Sequence, residues 1–401
     1  MENRELNAPA QLDGARRRAL IVGIAGVLGG ALCGMLLLSP QRALFSYLTG
    51  YVFWTGIALG CLALTMLHQL SGGQWGVVIR RPLEAAVRTL PLMLLLFVPI
   101  ALGASQIYEW ARPELVEHDA VLQHKHAYLN VPFFIARAAI YFAIWIGLGT
   151  LLIRWSDAQD RSGDPALHYR LRTLSGPGLA LYALTVSFAG VDWVMSLDPH
   201  WFSMIFGILT IGGQGLGALA FITATLVLLA RYAPMRDTVG PGHTHDLGKL
   251  MLAFVMLWAY FAFSQFLITW SGNLAEEIPW YLRRLEGPWK WMGLAIALLH
   301  FALPFALLLS RDLKRRPGKL VLVALLVVLM RMVDTIWMIA PEFHGEAHGS
   351  AALGVVNDLL ALAGIGGIWL WWYLGRLKQR PLLPLHDPNV DTAAADVVAE
   401  T

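Results

Sequence analysis

Apolar residues run in blocks of about twenty along this chain, separated by short polar stretches, from residue 19 to residue 375. Each block is long enough for an α-helix to cross the hydrocarbon core of a bilayer, which takes about 20 residues. The pattern predicts ten spans, at roughly 19–39, 44–67, 88–107, 131–154, 177–197, 201–230, 250–273, 289–310, 319–341 and 351–375. The expected fold is therefore an all-α polytopic membrane domain over 19–375. A short arm, 1–18, precedes it and a tail, 376–401, follows. The first block has no small-residue cleavage site before the next polar sequence, so it reads as a permanent span. The tail carries Pro381, Pro384 and Pro388 and then a polar run without apolar period, which predicts extended chain.

Lys and Arg in alternate loops set the orientation, because cytoplasmic loops retain positive charge. Nearly all of them outside the spans fall on the side of the two termini, including Arg16 to Arg18, Arg80, Arg81, Arg154 and Arg311 to Lys319. The other side holds only Arg42, Arg112, Lys125, Arg283, Arg284 and Lys290. Both termini are expected to be cytoplasmic. The outer loops at 108–130 and 274–288 are acidic and aromatic, and Trp280, Tyr281 and Trp289 read as an interfacial belt.

Composition narrows the classes. Of 401 residues, 57% are hydrophobic and 14% charged, with a mean hydropathy of +0.57, outside the range of a soluble domain. The net charge of +3 is spread over short loops and gives no nucleic-acid footprint. Cys33 and Cys61 are lone thiols in apolar runs, too few for a disulfide framework, a haem attachment or an iron–sulfur ligand set. The chain is expected to bind no metal or redox cofactor of its own.

Ionisable residues inside the spans carry the functional interest. A carboxylate at the middle of a spanning helix costs about 2.5–3.5 kcal/mol on insertion scales, so it needs a partner or a hydrated path. Arg137, Asp192, Asp334 and Asp358 all fall roughly 8–11 Å below the outer surface at 1.5 Å per residue. They could form one polar layer, with Asp198, Glu276 and Glu277 above it at the mouth. The bland reading is that Arg137 with Asp192, and Arg331 with Asp334 at i, i+3, are neutralised pairs that orient helices. The other reading is a proton relay. An internal echo accompanies the acids: Val191-Asp192 precedes Pro199 at the same spacing as Val333-Asp334 precedes Pro341. The echo fits two parallel four-helix bundles, helices 2–5 and 6–9, flanked by helices 1 and 10.

His300 lies near the middle of the eighth span without a second midplane histidine, so a haem is not expected there; a buried imidazole bonded to a neighbouring helix is the plainer reading. His245, Asp246 and Lys249 gather at the cytoplasmic start of the seventh span, as a capped solvated turn or as a proton entry. Gly212, Gly213, Gly215 and Gly217 follow no strand, so they suit close helix packing and not a nucleotide loop.

The stretch SFAGVDWVMSLDPHWFS at 187–203, with HDLGKLMLAFVMLWAYFAFSQFLITWSGNLAEEIPWYLRR from His245 to Arg284, PFFIAR at 132–137, and RMVDTIW at 331–337, resembles a ten-helix membrane subunit of alternative complex III. The likeness covers about residues 130–345 and is to the second large membrane subunit, of the quinone-binding subunit 2 type, within the polysulfide-reductase-type group. Ala275 stands where that resemblance leads one to expect proline. The resemblance implies a quinol:cytochrome c oxidoreductase of the bacterial cytoplasmic (inner) membrane, with menaquinol or a related quinol as donor. It implies as partners a multi-haem cytochrome c, an iron–sulfur protein with its clusters, a mono-haem cytochrome c and a paralogous quinol-oxidising subunit. It also implies a proton route through this subunit, using Asp192, Asp198, Glu276, Glu277, Arg331 and Asp334. Two other classes stay open on the residues alone: a free-standing secondary transporter, and a structural anchor for peripheral redox proteins with inert ion pairs.

Overall fold

The structure, a computed structural model, describes residues 8–343 and 351–385. Residues 344–350, which include His344 and His348, and the tail beyond residue 385 fall outside the described residues. No strand occurs among the described residues, and ten helices are long and apolar enough to cross a membrane. In chain order these are α1 (Leu12–Leu37), α2 (Pro40–Ser71), α3 (Gln74–Leu102), α4 (Val131–Ser162) and α5 (Pro165–Leu197). They continue with α6 (Phe206–Leu229), α7 (Pro241–Gly272), α8 (Trp289–Leu309), α9 (Pro317–Glu342) and α10 (Leu353–Leu377). The chain is a multi-pass membrane protein.

Local chemistry explains where the spans begin and end. Ser39, Asn130 and Asp164 each turn a side-chain oxygen onto a backbone N–H of the first turn of α2, α4 and α5, with proline next to the cap. Gly163 and Asn273 close α4 and α7 in the left-handed region, at φ of 66° and 48°. Several spans differ from the pattern expected: α1 starts at Leu12, α4 runs on to Ser162 and α7 starts at Pro241. The third starts at Gln74, not 88, because residues 74–87 form an amphipathic helix sealed by the charged side chains described below. The fifth runs straight through Pro177 from Pro165. The sixth starts at Phe206, because Trp201 turns back to stack on Trp280 at 4.6 Å between ring centroids.

Helices α2 to α5 pack as one bundle and α6 to α9 as another, while α10 lies on α2 and α3 and carries α1 on its far side. The first helices of the two bundles, α2 and α6, pack against each other and form the centre of the molecule. In their most apolar stretches 83% and 72% of residues are buried, against 22% for α1, α7 and α8, which face lipid. Packing between spans in lipid depends on close approach of small residues. At the α1–α10 seam a Cβ on Gly26 would lie 2.5 Å from the Gly364 nitrogen, so only glycine fits there.

Asp13 with Lys378, and Arg16 with the Trp371 carbonyl, tie the starts and ends of α1 and α10 together. Both described ends of the chain therefore lie on one face, called here the terminal face; the opposite one is the distal face. Beyond α10, residues 381–385 fold back onto the terminal face, where Leu382 is buried and the Leu385 N–H donates to Asp160.

Candidate functional site

The five intramembrane charges, joined by Arg42, separate into three pairs on different helix contacts. Asp192 on α5 receives both Nε and Nη2 of Arg137 on α4 at 2.9 Å, and the Tyr141 hydroxyl at 2.8 Å. Arg137 spends its remaining nitrogen on the Tyr128 carbonyl at 2.8 Å and stacks on the Tyr128 ring. A carboxylate held in this fork by three donors, with no exposed surface, fastens α4 to α5. Asp358 on α10 is held in the same manner by Arg42 at 2.7 Å and Ser46 at 2.6 Å, both from α2. Arg42 had been assigned to an outer loop; instead it is buried in the first turn of α2, and its partner is more than three hundred residues away.

Asp334 differs from both. Among the described residues its one hydrogen-bond donor is Arg331, one turn earlier on the same helix α9. The guanidinium of Arg331 lies flat on α6, where a Cβ on Gly213 would stand 2.6 Å from it, so the glycine at 213 makes room for the cation. On its other side Asp334 borders a cavity of about 680 Å³ between α7, α8 and α9. The walls are largely aromatic, with Trp258, Phe263, Phe266, Trp280, Tyr281 and Trp337, and the polar groups facing in include Gln265 and Asp334. Trp280 was expected in a lipid-facing belt; it is 4% exposed, because it is clamped between Trp201 and Arg284.

His300 lies beside this cavity on α8, in a π-helical stretch from Ile296 to Ala302. Such widened turns recur where a helix serves a site. The imidazole is fully buried, edge-on to Trp258 at 4.2 Å between centroids. The expected bond to a neighbouring helix is not made: both ring nitrogens lack a hydrogen-bond partner. Burying a polar group unpaired costs about 1–3 kcal/mol, and His300 bears that cost behind Trp258, which lines the cavity.

The distal end of the cavity is closed by the short helix Ile278–Leu285. Arg284 of this helix is fully buried, lies 3.4 Å above the Trp280 ring, and donates to the carbonyls of Trp280, Trp337 and Met338. Glu342 pairs with Arg284 at 2.7 Å and with Arg283 at 3.0 Å, and Arg283 also pairs with Asp198. Burial pulls the Arg284 guanidinium down to about 10, against the pull of Glu342. Asp198 thus sits in a chain of four alternating charges at the distal face, and it also caps the turn by accepting from the His200 and Trp201 N–H groups. Glu342 and Arg284 were missed from the sequence; their only local signal was the doublet Arg283-Arg284 beside an acidic loop.

Other expected positions are not brought to the cavity. Glu276 is exposed and Glu277 half-buried on the connection before the short helix, and neither makes an ion pair among the described residues or lines the cavity. His245, Asp246 and Lys249 lie on the first turns of α7 at the terminal face, with Lys249 on Asp246 at 2.7 Å and His245 at 4.0 Å. Above them Met251 and Val255 are fully buried, so an apolar stretch separates that cluster from Trp258 and the cavity. Among the described residues no group of three or more metal-binding side chains occurs.

No protein-family model and no curated protein matches this chain. The geometry of the α6–α9 bundle therefore carries the functional argument, together with the resemblance in its sequence.

Proposed function

We propose that the chain is a membrane subunit of a quinol-oxidising electron-transfer complex, of the alternative complex III type, and that Asp334 receives protons there. The observation that carries this reading is the single-partner carboxylate on the wall of an aromatic cavity large enough for a drug-sized ring system, within the usual 300–1,000 Å³ of ligand sites. A quinol has an apolar aromatic head with two hydroxyl groups. Aromatic walls suit the ring, Gln265 and Tyr281 offer hydrogen bonds to an oxygen, and an ionised Asp334 accepts the proton that leaves when the ring is oxidised. Arg331 holds that carboxylate in place. From Asp334 the end of α9 leads in eight residues, about 12 Å, to Glu342 and the distal ion-pair chain.

The electrons go to redox centres carried by partner subunits, namely a multi-haem cytochrome c, an iron–sulfur protein and a mono-haem cytochrome c. A paralogous ten-helix subunit completes the membrane part. The α2–α5 bundle, with Asp192 fully satisfied inside it and Asp358 of α10 fully satisfied by its α2, supports an anchoring role for that half of the molecule.

The test is Asp334→Asn in the chromosomal copy, with the complex purified through a tag on this chain. The variant is expected to assemble with its haem absorbance intact and to lose tenfold or more in quinol:cytochrome c turnover and in proton release. Unchanged coupled turnover removes Asp334 from the mechanism. A chain that purifies alone, without haem absorbance, favours a free-standing secondary transporter.

A further inference from the structure

The α3–α4 surface, far from the cavity, carries two openings that share residues. One, of about 560 Å³, is lined by Leu94, Phe142, Ala143 and Gly147. The other, of about 290 Å³, lies nearer the terminal face and is lined by Arg88, Asp157 and Arg376. Ile146, Thr150 and Arg154 line both, so the two are one groove, apolar at one end and cationic at the other. From Ala139 to Arg154 the groove follows fifteen residues of α4, about 22 Å, which exceeds the ~15 Å half-thickness of a bilayer core.

Charge at the cationic end is in excess. Asp157 is the one acid lining it, and that carboxylate is already shared between Arg88, at 3.4 Å, and Arg380. Arg154 is exposed and makes no ion pair among the described residues. Arg376 stacks over Trp372 and reaches only Gln379. Burial and the neighbouring Arg88 and Arg81 cations bring Arg380 down to about 10, against the pull of Glu84. The network behind the groove is closed on itself: Glu84 takes Arg81 at 2.6 Å, Arg80 at 3.2 Å and Ser156 at 2.5 Å, leaving no anion for the groove.

We infer that this groove is a binding site for an anionic phospholipid, with one acyl chain along Leu94, Phe142 and Gly147 and the phosphate between Arg154, Arg376 and Arg88. Basic pockets where spans meet the membrane surface take phosphate head groups, whereas an apolar run of this length has no use for a free ion. The site lies in the leaflet at the terminal face and is separate from the proposed quinol cavity, so neither depends on the other.

The experiment is native mass spectrometry of the delipidated protein after addition of phosphatidylglycerol or phosphatidylethanolamine with identical acyl chains. Phosphatidylglycerol is expected to be retained about tenfold better, and Arg154→Gln with Arg376→Gln is expected to remove that preference. Arg154→Gln alone serves if the double variant fails to fold, since Arg154 touches no partner charge. Gly147→Leu, at a position where an added Cβ meets nothing within 4 Å, fills the apolar end and is expected to lower retention of both lipids. Equal retention of the two lipids, or an unchanged preference without the arginines, overturns the site. Displacement by millimolar inorganic phosphate, with no effect of Gly147→Leu, assigns the cations to free phosphate and overturns the lipid.

Discussion

The last helix of each bundle carries the same short text, Val-Asp with a proline seven residues after the aspartate, and each ends in a 3₁₀ turn, Met195–Leu197 after α5 and Ala340–Glu342 closing α9. Their surroundings are opposite. Asp192 is gripped by a guanidinium from the neighbouring helix and a tyrosine, whereas Asp334 leans on a cation of its own helix and borders a cavity. The difference comes from the donors. Arg137 reaches in to Asp192 from α4, while among the described residues no side chain of α8 donates to Asp334. One bundle spends its buried acid on rigidity; the other leaves its acid accessible.

The largest expected effect tests the rigid half. Asp192→Ala strands Arg137 in a buried site, and breaking a buried pair by removing one partner costs about 3–5 kcal/mol. Thermal unfolding in detergent is expected to show a large loss of stability with little change in turnover per folded molecule. A variant that unfolds like the parent but turns over slowly would reverse the roles assigned to the two aspartates.

Asp334→Ala is expected to cost less stability, about 1–3 kcal/mol, the range for a lost hydrogen bond to a charged group. Arg331 borders a second, small cavity with Gln214 and Thr335, so it is not sealed in apolar surroundings when its partner goes. Its effect belongs in activity. Equal destabilisation by the two alanine substitutions would mean that the bundles do not differ as described.

Much of this contrast was legible in the chain before any coordinates. Ten spans, two bundles and the pairs Arg137–Asp192 and Arg331–Asp334 follow from apolar block length, from the repeated Val-Asp…Pro text and from i, i+3 spacing. What escaped is whatever depends on partners distant in sequence. Asp358 could not be matched to Arg42 because no local pattern links α10 to α2. The helix at 74–87 looked like a loop because its charges, Arg80, Arg81 and Glu84, are neutralised by Ser156, Gln159 and Asp160 of α4. Trp280 looked like a lipid anchor because the stacking on Trp201 and Arg284 arises only once the distal loops close.

Gly213→Ala gives a finer probe of the same comparison. The nearest atoms an added Cβ meets are the far end of the Arg331 side chain, which can swing away, so the cost to stability is expected to come from the loosened Asp334 contact and to reach about 1–3 kcal/mol at most. The guanidinium then leaves its seat beside Asp334, and turnover is expected to fall, by less than in Asp334→Asn. Turnover equal to the parent's would show that the position of Arg331 is immaterial to the carboxylate.

The smallest effect concerns the turn at 198–200, which the loops of both halves grip. On the α6–α9 side Asp198 meets Arg283, within the buried chain that ends on Arg284. On the α2–α5 side His200 meets Asp119 at 2.7 Å, and both side chains are substantially exposed. Burial pushes the Asp119 carboxyl up slightly, but the Leu122 N–H, His200 and the Val121 N–H outweigh it and hold the group below its ordinary range. A depressed carboxylate contributes its stability in full above its unfolded value and loses it as pH falls through the lower, folded value. Between pH 8 and 5 the Asp119 carboxylate therefore adds no pH dependence. Asp119→Asn is expected to shift stability by less than about 1 kcal/mol, as exposed pairs do. Hydrogen exchange of residues 119–122 read at pH 5 and pH 8 in the parent and in Asp119→Asn checks this; a large, pH-dependent opening of that loop in the parent would show that the exposed contact, and not the buried one, fastens the turn.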